Sequence, residues 1–385
     1  MTVKVSKPAI NVREELADLR KPTGLAGEAM LRAETPQEQF NLIGAGRRNL
    51  IINGGMQVWQ RGTSFSTTDG YTVDRWRFDD DLLDQYAHTA TKSTDAPAGF
   101  GSSFKVEVTT TETAIDSGED LAFSQRIEAQ DLQQLGAGTS SPKPVTVSFW
   151  VKSSVTGTYA AHFKMEDDNR IFPFTYTIDA ASTWEYKTID IPPCTIATVD
   201  NDTGHGATLR FLLLSGSAYT TGSTGTWQPY SSNLFAAGHQ AQISTDGDTW
   251  QITGVQLELG KVATPFEHRS YAEEMALCQR YYTRLGNDDG GFTHLMVGSA
   301  EGTTVYVVSR SLSTRMRAVP TVTVGSGVNG FTASAGVVYL NSFNTRCSRD
   351  IACISANVTG TATVGQAAVL YDAGANGYIE LDAEL

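Results

Sequence analysis

Val145-Thr-Val-Ser-Phe-Trp-Val-Lys-Ser153 sets apolar side chains at Val145, Val147, Phe149 and Val151 and places Thr146, Ser148, Trp150 and Lys152 between them. Successive side chains on a strand point to opposite faces. A strict period of two therefore marks a strand covered on one face, as in antiparallel sheets. The same period runs outward in both directions. Phe104, Val106 and Val108 alternate with Lys105, Glu107 and Thr109; Tyr159, Ala161, Phe163 and Met165 form a third face, and Leu209, Phe211 and Leu213 a fourth. Two segments change phase midway. Trp184 and Tyr186 give way to Ile189 and Ile191, and Trp250 and Ile252 give way to Val255, Leu257 and Leu259 across Gly254. A β-bulge is the simplest physical reason for a change of parity. About eight or more strands between Gly/Ser/Thr loops, from Asn49 to about Arg269, predict a mainly β chain built on a two-sheet jelly-roll sandwich.

The flanks read differently. In residues 1–47, Asn11 and Glu14 form a capping box, with Val12, Leu16 and Leu19 at helical spacing. Lys21-Pro22-Thr23-Gly24 stops that helix, and Thr35-Pro36-Gln37-Glu38 starts another. Short amphipathic helices make no core alone. Their apolar stripe must be covered by the next domain, another copy of the chain or a larger assembly. The segment is therefore expected to be a helical attachment device, with Val12, Leu16 and Leu19 as its contact residues. After the sandwich (48–269), Ser270 and Glu273 open a connecting helix expected over 270–285, with Ala272, Met275, Ala276, Cys278 and Tyr282 on one side. Gly286 to Gly291 reads as a flexible connection. Residues 286–385 return to strands: Val305 and Val307, Val322 and Val324, then Ile379, Leu381, Ala383 and Leu385 opposite Glu380, Asp382 and Glu384. This predicts a smaller C-terminal β-sandwich domain.

Lys plus Arg total 29 against 42 Asp plus Glu, a net charge of −13, and only 18% of residues are charged. Such a chain is a poor general partner for nucleic acid or an anionic membrane surface. No apolar run reaches the ~18 residues of a membrane span, and the N-terminus has the pattern of no secretory signal. The four cysteines (Cys194, Cys278, Cys347, Cys353) form no C-x-x-C pair and are expected as free buried thiols, although Cys347 and Cys353 could meet across a hairpin.

Positive signs of catalysis are missing. The six histidines stand singly. Gly325-Ser-Gly-Val-Asn-Gly330 spells a dinucleotide fingerprint, but strand and loop follow it where a helix would be needed to receive the pyrophosphate. Asp79-Asp80-Asp81, Glu166-Asp167-Asp168 and Asp200-Asn201-Asp202 are acidic clusters without a complete calcium-loop spacing. No cofactor, metal ligand or catalytic residue is expected, and a non-enzymatic role follows. Trp59, Trp76, Trp184 and Trp250 fall within apolar strand patterns and read as core. Trp227 and Tyr230 lie in a Gly/Ser/Thr-rich loop, where stacking on a sugar ring competes with packing beneath their own loop; they are the candidate ligand-binding residues.

Three segments carry a resemblance. Asn49-Leu-Ile-Ile-Asn-Gly-Gly-Met-Gln-Val-Trp-Gln-Arg-Gly62 with Tyr71-Thr-Val-Asp-Arg-Trp76, and Ile252-Thr-Gly-Val-Gln-Leu-Glu-Leu-Gly-Lys-Val-Ala-Thr-Pro-Phe-Glu-His-Arg269 running into Ser270–Tyr282, resemble the opening and closing strands of tail-fibre and receptor-binding domains of tailed bacteriophages. Those domains are similar to carbohydrate-binding jelly rolls. Lys7–Leu19 is similar to leader segments of phage fibre proteins. The resemblance implies a virion protein on the tail or particle exterior, attached to other virion proteins through residues 1–47. It also implies a homotrimer that binds a host-surface polysaccharide without catalysis. It transfers no site residue. Within the opening motif, Leu50, Ile52 and Val58 are expected on strands, and Asp74 with Arg75 as a partly buried ion pair. A capsid-decorating fibre or tail adaptor is the structural alternative, and a polysaccharide depolymerase the enzymatic one.

Overall fold

A computed structural model describes residues 48–385, except 67–68, 82–85, 287–293, 326, 327, 329, 334–335, 360 and 372–376. The expected helical segment 1–47, with Val12, Leu16 and Leu19, lies outside the described residues, as does most of the 286–291 connection.

The alternating strands pair as their parity demands. In chain order they are β1 (Ser64–Ser66), β2 (Gly70–Tyr71), β3 (Trp76–Asp81), β4 (Ala87–Ser93), β5 (Ser103–Thr110), β6 (Asp120–Glu128) and β7 (Val145–Ser153). Then follow β8 (Gly157–Met165), β9 (Arg170–Ile178), β10 (Glu185–Ile191), β11 (His205–Ser215), β12 (Gln228–Pro229) and β13 (Thr249–Leu259). One antiparallel sheet has the order β1-β4-β5-β13-β7-β10 and the other β12-β9-β8-β11-β6-β3-β2. They pack face to face as the mainly β sandwich expected of a jelly roll. Phe104, Val106, Phe149, Val151, Trp250 and Ile252 of the first sheet meet Phe78, Phe123, Tyr159, Phe163 and Phe211 of the second. Rings order that core: Phe104 lies 4.0 Å from Phe123, and Trp76 4.7 Å from Phe123 at an interplanar angle of 5°.

Of the two changes of phase, one is a bulge. β13 slips register against β7 between Thr253 and Gln256, and Gly254 at φ +63° turns the chain there. β10 pairs with β7 without a slip, and its inward residues are Glu185, Lys187, Ile189 and Ile191. Tyr186 faces outward at 43% exposure and Trp184 is half-buried on the same side, so neither is a core residue. Trp59, Trp76 and Trp250 are buried as expected.

Leu50, Ile52 and Val58 are buried but not in strands. Residues 49–58 form an irregular buried segment whose backbone polar groups are answered by amide side chains. Asn49 Nδ2 donates to Val255 O and its Oδ1 accepts from Ile51 N and Leu257 N. Gln125 accepts from Ile52 N and donates to Ile52 O. Asn53 Nδ2 donates to Val58 O and Asp74 O, and its Oδ1 accepts from Gln57 N and Val58 N.

Ser270 and Glu273 do form a capping box, and helix α1 (Tyr271–Gln279) follows. It ends earlier than expected because Tyr282 already pairs in a strand. Of the side expected to be apolar, Cys278 and Tyr282 are buried and Met275 packs on the Ile52–Val58 cluster, while Ala272 and Ala276 are exposed and Glu274 is buried instead. The remaining strands are β14 (Tyr282–Gly286), β15 (His294–Ala300), β16 (Val305–Ser311), β17 (Thr321–Val324), β18 (Gly330–Ala333), β19 (Gly336–Thr345), β20 (Ile351–Thr359), β21 (Ala367–Tyr371) and β22 (Tyr378–Asp382). β15-β16-β20-β19-β18-β21 close into a barrel, with β14-β22-β17 as a small accompanying sheet. The C-terminal region is thus a barrel rather than a sandwich. Tyr306 and Val308, not Val305 and Val307, are the buried residues of β16. Ile379, Leu381 and Ala383 face its core as expected. Cys194 and Cys278 are buried free thiols, and Cys347 and Cys353 are half-buried neighbours, the amide of Cys353 donating to Cys347 Sγ at 3.2 Å.

Asp74 and Arg75 are buried, yet they do not pair with each other. Asp74 accepts from Gln60, whereas Arg75 reaches Glu384 beyond the barrel and lies over the Tyr281 ring, 3.4 Å from its centroid. Around them Arg280 grips buried Glu128 with two 2.7 Å bonds, Arg61 reaches Asp382 and Glu384, and Arg317 donates to Ala383 O, Glu384 O and Thr203 O. The opening motif therefore builds the joint between the two β units.

Candidate functional site

The outer face of the first sheet holds a groove of about 400 Å³. Tyr186 and Trp150 are direct partners in the β10–β7 register, with ring centroids 5.2 Å apart at 45°. Their parity is the solvent one, opposite to Phe149 and Val151. Phe100, Phe266 and His268 form a wall in which each ring meets the other two at 5.0–5.4 Å between centroids. Gly254 forms the floor. A Cβ there would stand 2.6 Å from Phe100 Cζ and 3.1 Å from Trp150 Cδ1, so the bulge glycine is what allows wall and platform to close around the groove. Ser148, Ala263, Thr264 and Pro265 complete the lining, which contains no carboxylate, lysine or arginine.

On the same sheet face, two residues farther along β7, Lys152 Nζ donates to Asp95 at 2.7 Å. Trp184 Nε1 and Gln251 Nε2 donate to the same carboxylate at 3.0 and 3.3 Å. The bonds from Lys152 and Trp184 hold the Asp95 carboxyl below the usual carboxylate range. Exposed aromatic faces beside hydrogen-bonding groups suit a ring that is apolar on its faces and polar at its edge.

The second sheet's outer face is built differently. The loop 216–240 roofs it, with Ala236, Tyr219 and Phe235 packed on Ala122, Ala160 and Leu212. Two buried histidines pin the roof: His162 Nδ1 is bonded to Phe235 O at 2.8 Å, and His239 Nδ1 accepts from Ala160 N. Burial, with Arg210 nearby, pushes His162 down to about 3, and burial pushes His239 down to about 4. Both are neutral at pH 7.

The two loop aromatics singled out from sequence part company. Trp227 packs under its own loop against Phe163 and Phe172, and its Nε1 donates to Pro192 O at 2.7 Å. Tyr230 lines a separate charged cleft at the edge of the roof, with Lys164 Nζ 4.6 Å from its ring centroid. The structure does not bring them together in one site. Sequence reading missed Trp150 and Tyr186, although an aromatic on the polar parity of two strands was the available signal.

Within the 166–168 cluster, Asp168 accepts from Thr198 and Asp167 from Asp200 N, tying down the 198–200 loop, while Glu166 accepts from Lys164 and Thr208 of the neighbouring strands. Among the described residues no three His, Cys, Asp or Glu side chains are grouped to hold a metal ion, and no helix is long and apolar enough to cross a membrane.

No protein-family model and no curated protein matches the chain. Among solved structures, it is similar to the enzymatically active domain of tailspike protein 4 of bacteriophage CBA120, at 14% identity over 55% of this chain with a TM-score of 0.30. It spans only 21% of that tailspike chain. It is also similar to TmCBM61 in complex with β-1,4-galactotriose, at 12% identity over 56% of this chain and 100% of that one, with a TM-score of 0.27. A family 11 carbohydrate-binding module from Clostridium thermocellum, in complex with a β-1,3-1,4-mixed-linked tetrasaccharide, aligns at 12% identity over 54% of this chain and 98% of that one, with a TM-score of 0.26.

Proposed function

We propose that this chain is a fibre protein displayed on the exterior of a tailed bacteriophage particle, and that it binds a neutral host-surface glycan through the Trp150–Tyr186 groove without catalysis. One observation carries the glycan-binding part of the reading: two aromatic side chains held side by side on the solvent face of a sheet, walled by three further rings over a glycine bulge. Large aromatic rings on the outward parity of a sheet leave apolar surface in contact with water. A ligand that stacks on them supplies a physical reason. Glycoside hydrolysis requires carboxylates flanking the sugar, and the groove lining holds none, which favours binding over turnover. Each contact is weak, and several copies on one particle would supply the avidity. In this reading residues 1–47 attach the fibre to other virion proteins and the chain assembles as a homotrimer; light scattering on the purified chain checks the assembly, and a monomer at micromolar concentration rejects it.

The test of the groove is a neutral-oligosaccharide array followed by titration calorimetry with Trp150→Ala and Tyr186→Ala. Each substitution is expected to weaken binding by about tenfold or more, while circular dichroism shows an unchanged fold. No binding to any neutral glycan, or binding indifferent to both substitutions, rejects the proposal. The joint built by Arg75, Glu384 and Tyr281 supports a second reading, a purely structural spacer in a capsid-decorating fibre or tail adaptor. Locating the chain on the particle by electron microscopy separates the two.

A further inference from the structure

The charged cleft beside the roof does not depend on the groove, because it opens on the other sheet. It encloses about 380 Å³ between Arg77, Asp79, Asp120, Arg126, Arg210, Tyr219, Tyr230 and Phe235, with Asp69 at its rim. Its floor follows from the register: Arg77, Ser124 and Arg210 lie in one row across β3, β6 and β11.

Of the three carboxylates that line the cleft, Asp69 and Asp79 are engaged by its own donors, and Asp120 is the third. Asp79 accepts from Arg77 Nε on one oxygen, and from Ser124 Oγ at 3.0 Å and Arg210 at 2.8 Å on the other. Asp69 receives both of its bonds from a single nitrogen of Arg77, at 2.7 and 2.9 Å. The donors are not consumed. Arg210 spends one terminal nitrogen on Asp79, its Nε is buried without a partner, and its Cζ lies over the Phe235 ring, 4.7 Å from the centroid. Arg126 spends NH1 on Leu385 O. The Tyr230 hydroxyl lies within the fields of Arg210 and Asp120. The cleft therefore offers guanidinium nitrogens and a phenol beside aromatic walls, which complements a planar, acceptor-rich group on a polar ring.

We infer that this cleft is a second, separate binding site, for an acidic saccharide whose carboxylate is held by Arg126 and Arg210 and whose ring lies against Tyr230. The roof loop shapes one wall, so the site exists only while 216–240 is seated. The groove takes a neutral ring by stacking; the cleft takes a charged one by paired hydrogen bonds.

The test uses the whole chain and an array of uronate- and sialate-bearing oligosaccharides, each beside its carboxyl-reduced counterpart. At least one acidic oligosaccharide should bind, and its reduced form should bind about tenfold more weakly or worse. Affinity should fall steadily between about 50 mM and about 500 mM salt. Tyr230→Ala should weaken acidic binding about fivefold or more and leave neutral binding unchanged, and Trp150→Ala should do the reverse. Arg126→Gln provides a second variant with the same expectation, so a folding defect in one does not decide the matter. Three results would overturn the inference: no acidic glycan bound, reduced and acidic forms bound alike, or acidic binding abolished by Trp150→Ala and untouched by Tyr230→Ala. Loss of neutral binding alone in Trp150→Ala concerns the groove and leaves the cleft standing.

Discussion

The two outer faces of the sandwich use the same antiparallel lattice for opposite purposes. On the first sheet the strands themselves present Trp150 and Tyr186, and the bulge at Gly254 leaves room for loop residues Phe100, Phe266 and His268 to wall the hollow. On the second, an added loop covers apolar residues, and the hollow remains at its edge among ion pairs. The aromatic platform on β7 and β10 is as stable as the sheet. A face made by a roof is only as stable as the contacts that seat it, and two of those contacts run through neutral histidines.

The largest effect on this contrast should come from Gly254→Val. It forces a β-branched residue into a left-handed conformation and drives its Cβ into Phe100, costing about 3 kcal/mol. Urea denaturation should show that loss, and the groove should lose neutral ligand while the cleft is spared. Asp79→Ala comes next: it leaves Arg77 and Arg210 without their shared partner in a half-buried setting. A loss of about 2 kcal/mol is expected by the same measurement, reduced from the cost of a fully buried pair by solvent access. An unchanged midpoint would show that the floor is not held by charge.

Acid should then loosen the roof, on top of a general loss from His88 on β4 and His205 on β11, which are also pushed down to about 4. Because His162 and His239 are pushed down in the folded state, the unfolded chain binds protons first as pH falls below its ordinary histidine range. Stability present above about pH 6.5 is thus lost toward pH 4 and below, by about 1 kcal/mol per unit for each histidine. Hydrogen exchange at pH 7 and pH 5 should show the 216–240 amides loosening more than those of β7 and β10. Equal loosening would mean the roof is not pinned as described. The smallest effect belongs to Asp95→Asn on the exposed rim of the first face, where less than about 1 kcal/mol should be lost.

What the sequence disclosed follows the same division. Parity gave the strands and the bulge at Gly254 from local pattern alone, since alternation is a property of one strand. Trp150 was visible as an aromatic on the polar parity of β7, but its meeting with Tyr186 depends on the β7–β10 register, which no local pattern carries. The parity of β10 was misread because Trp184 and Tyr186 were assumed to point inward. Residues 49–58 looked like strand because their side chains are buried. The side chains of Asn49, Asn53 and Gln125 replace the ladder there, and composition does not reveal such substitutions. The roof was seen only as a polar loop, and Trp227 within it turned toward the sandwich, not toward solvent.

The joint has a mechanical consequence. β13 carries the groove floor at Gly254, lies between β5 and β7, and leads through residues 260–270 and α1 into β14. A pull on a ligand seated in the groove would load β13 in shear against both neighbours, where backbone bonds resist together rather than one after another. The load then meets Arg75, Glu384, Arg280 and Glu128, buried pairs that would have to part at the same moment.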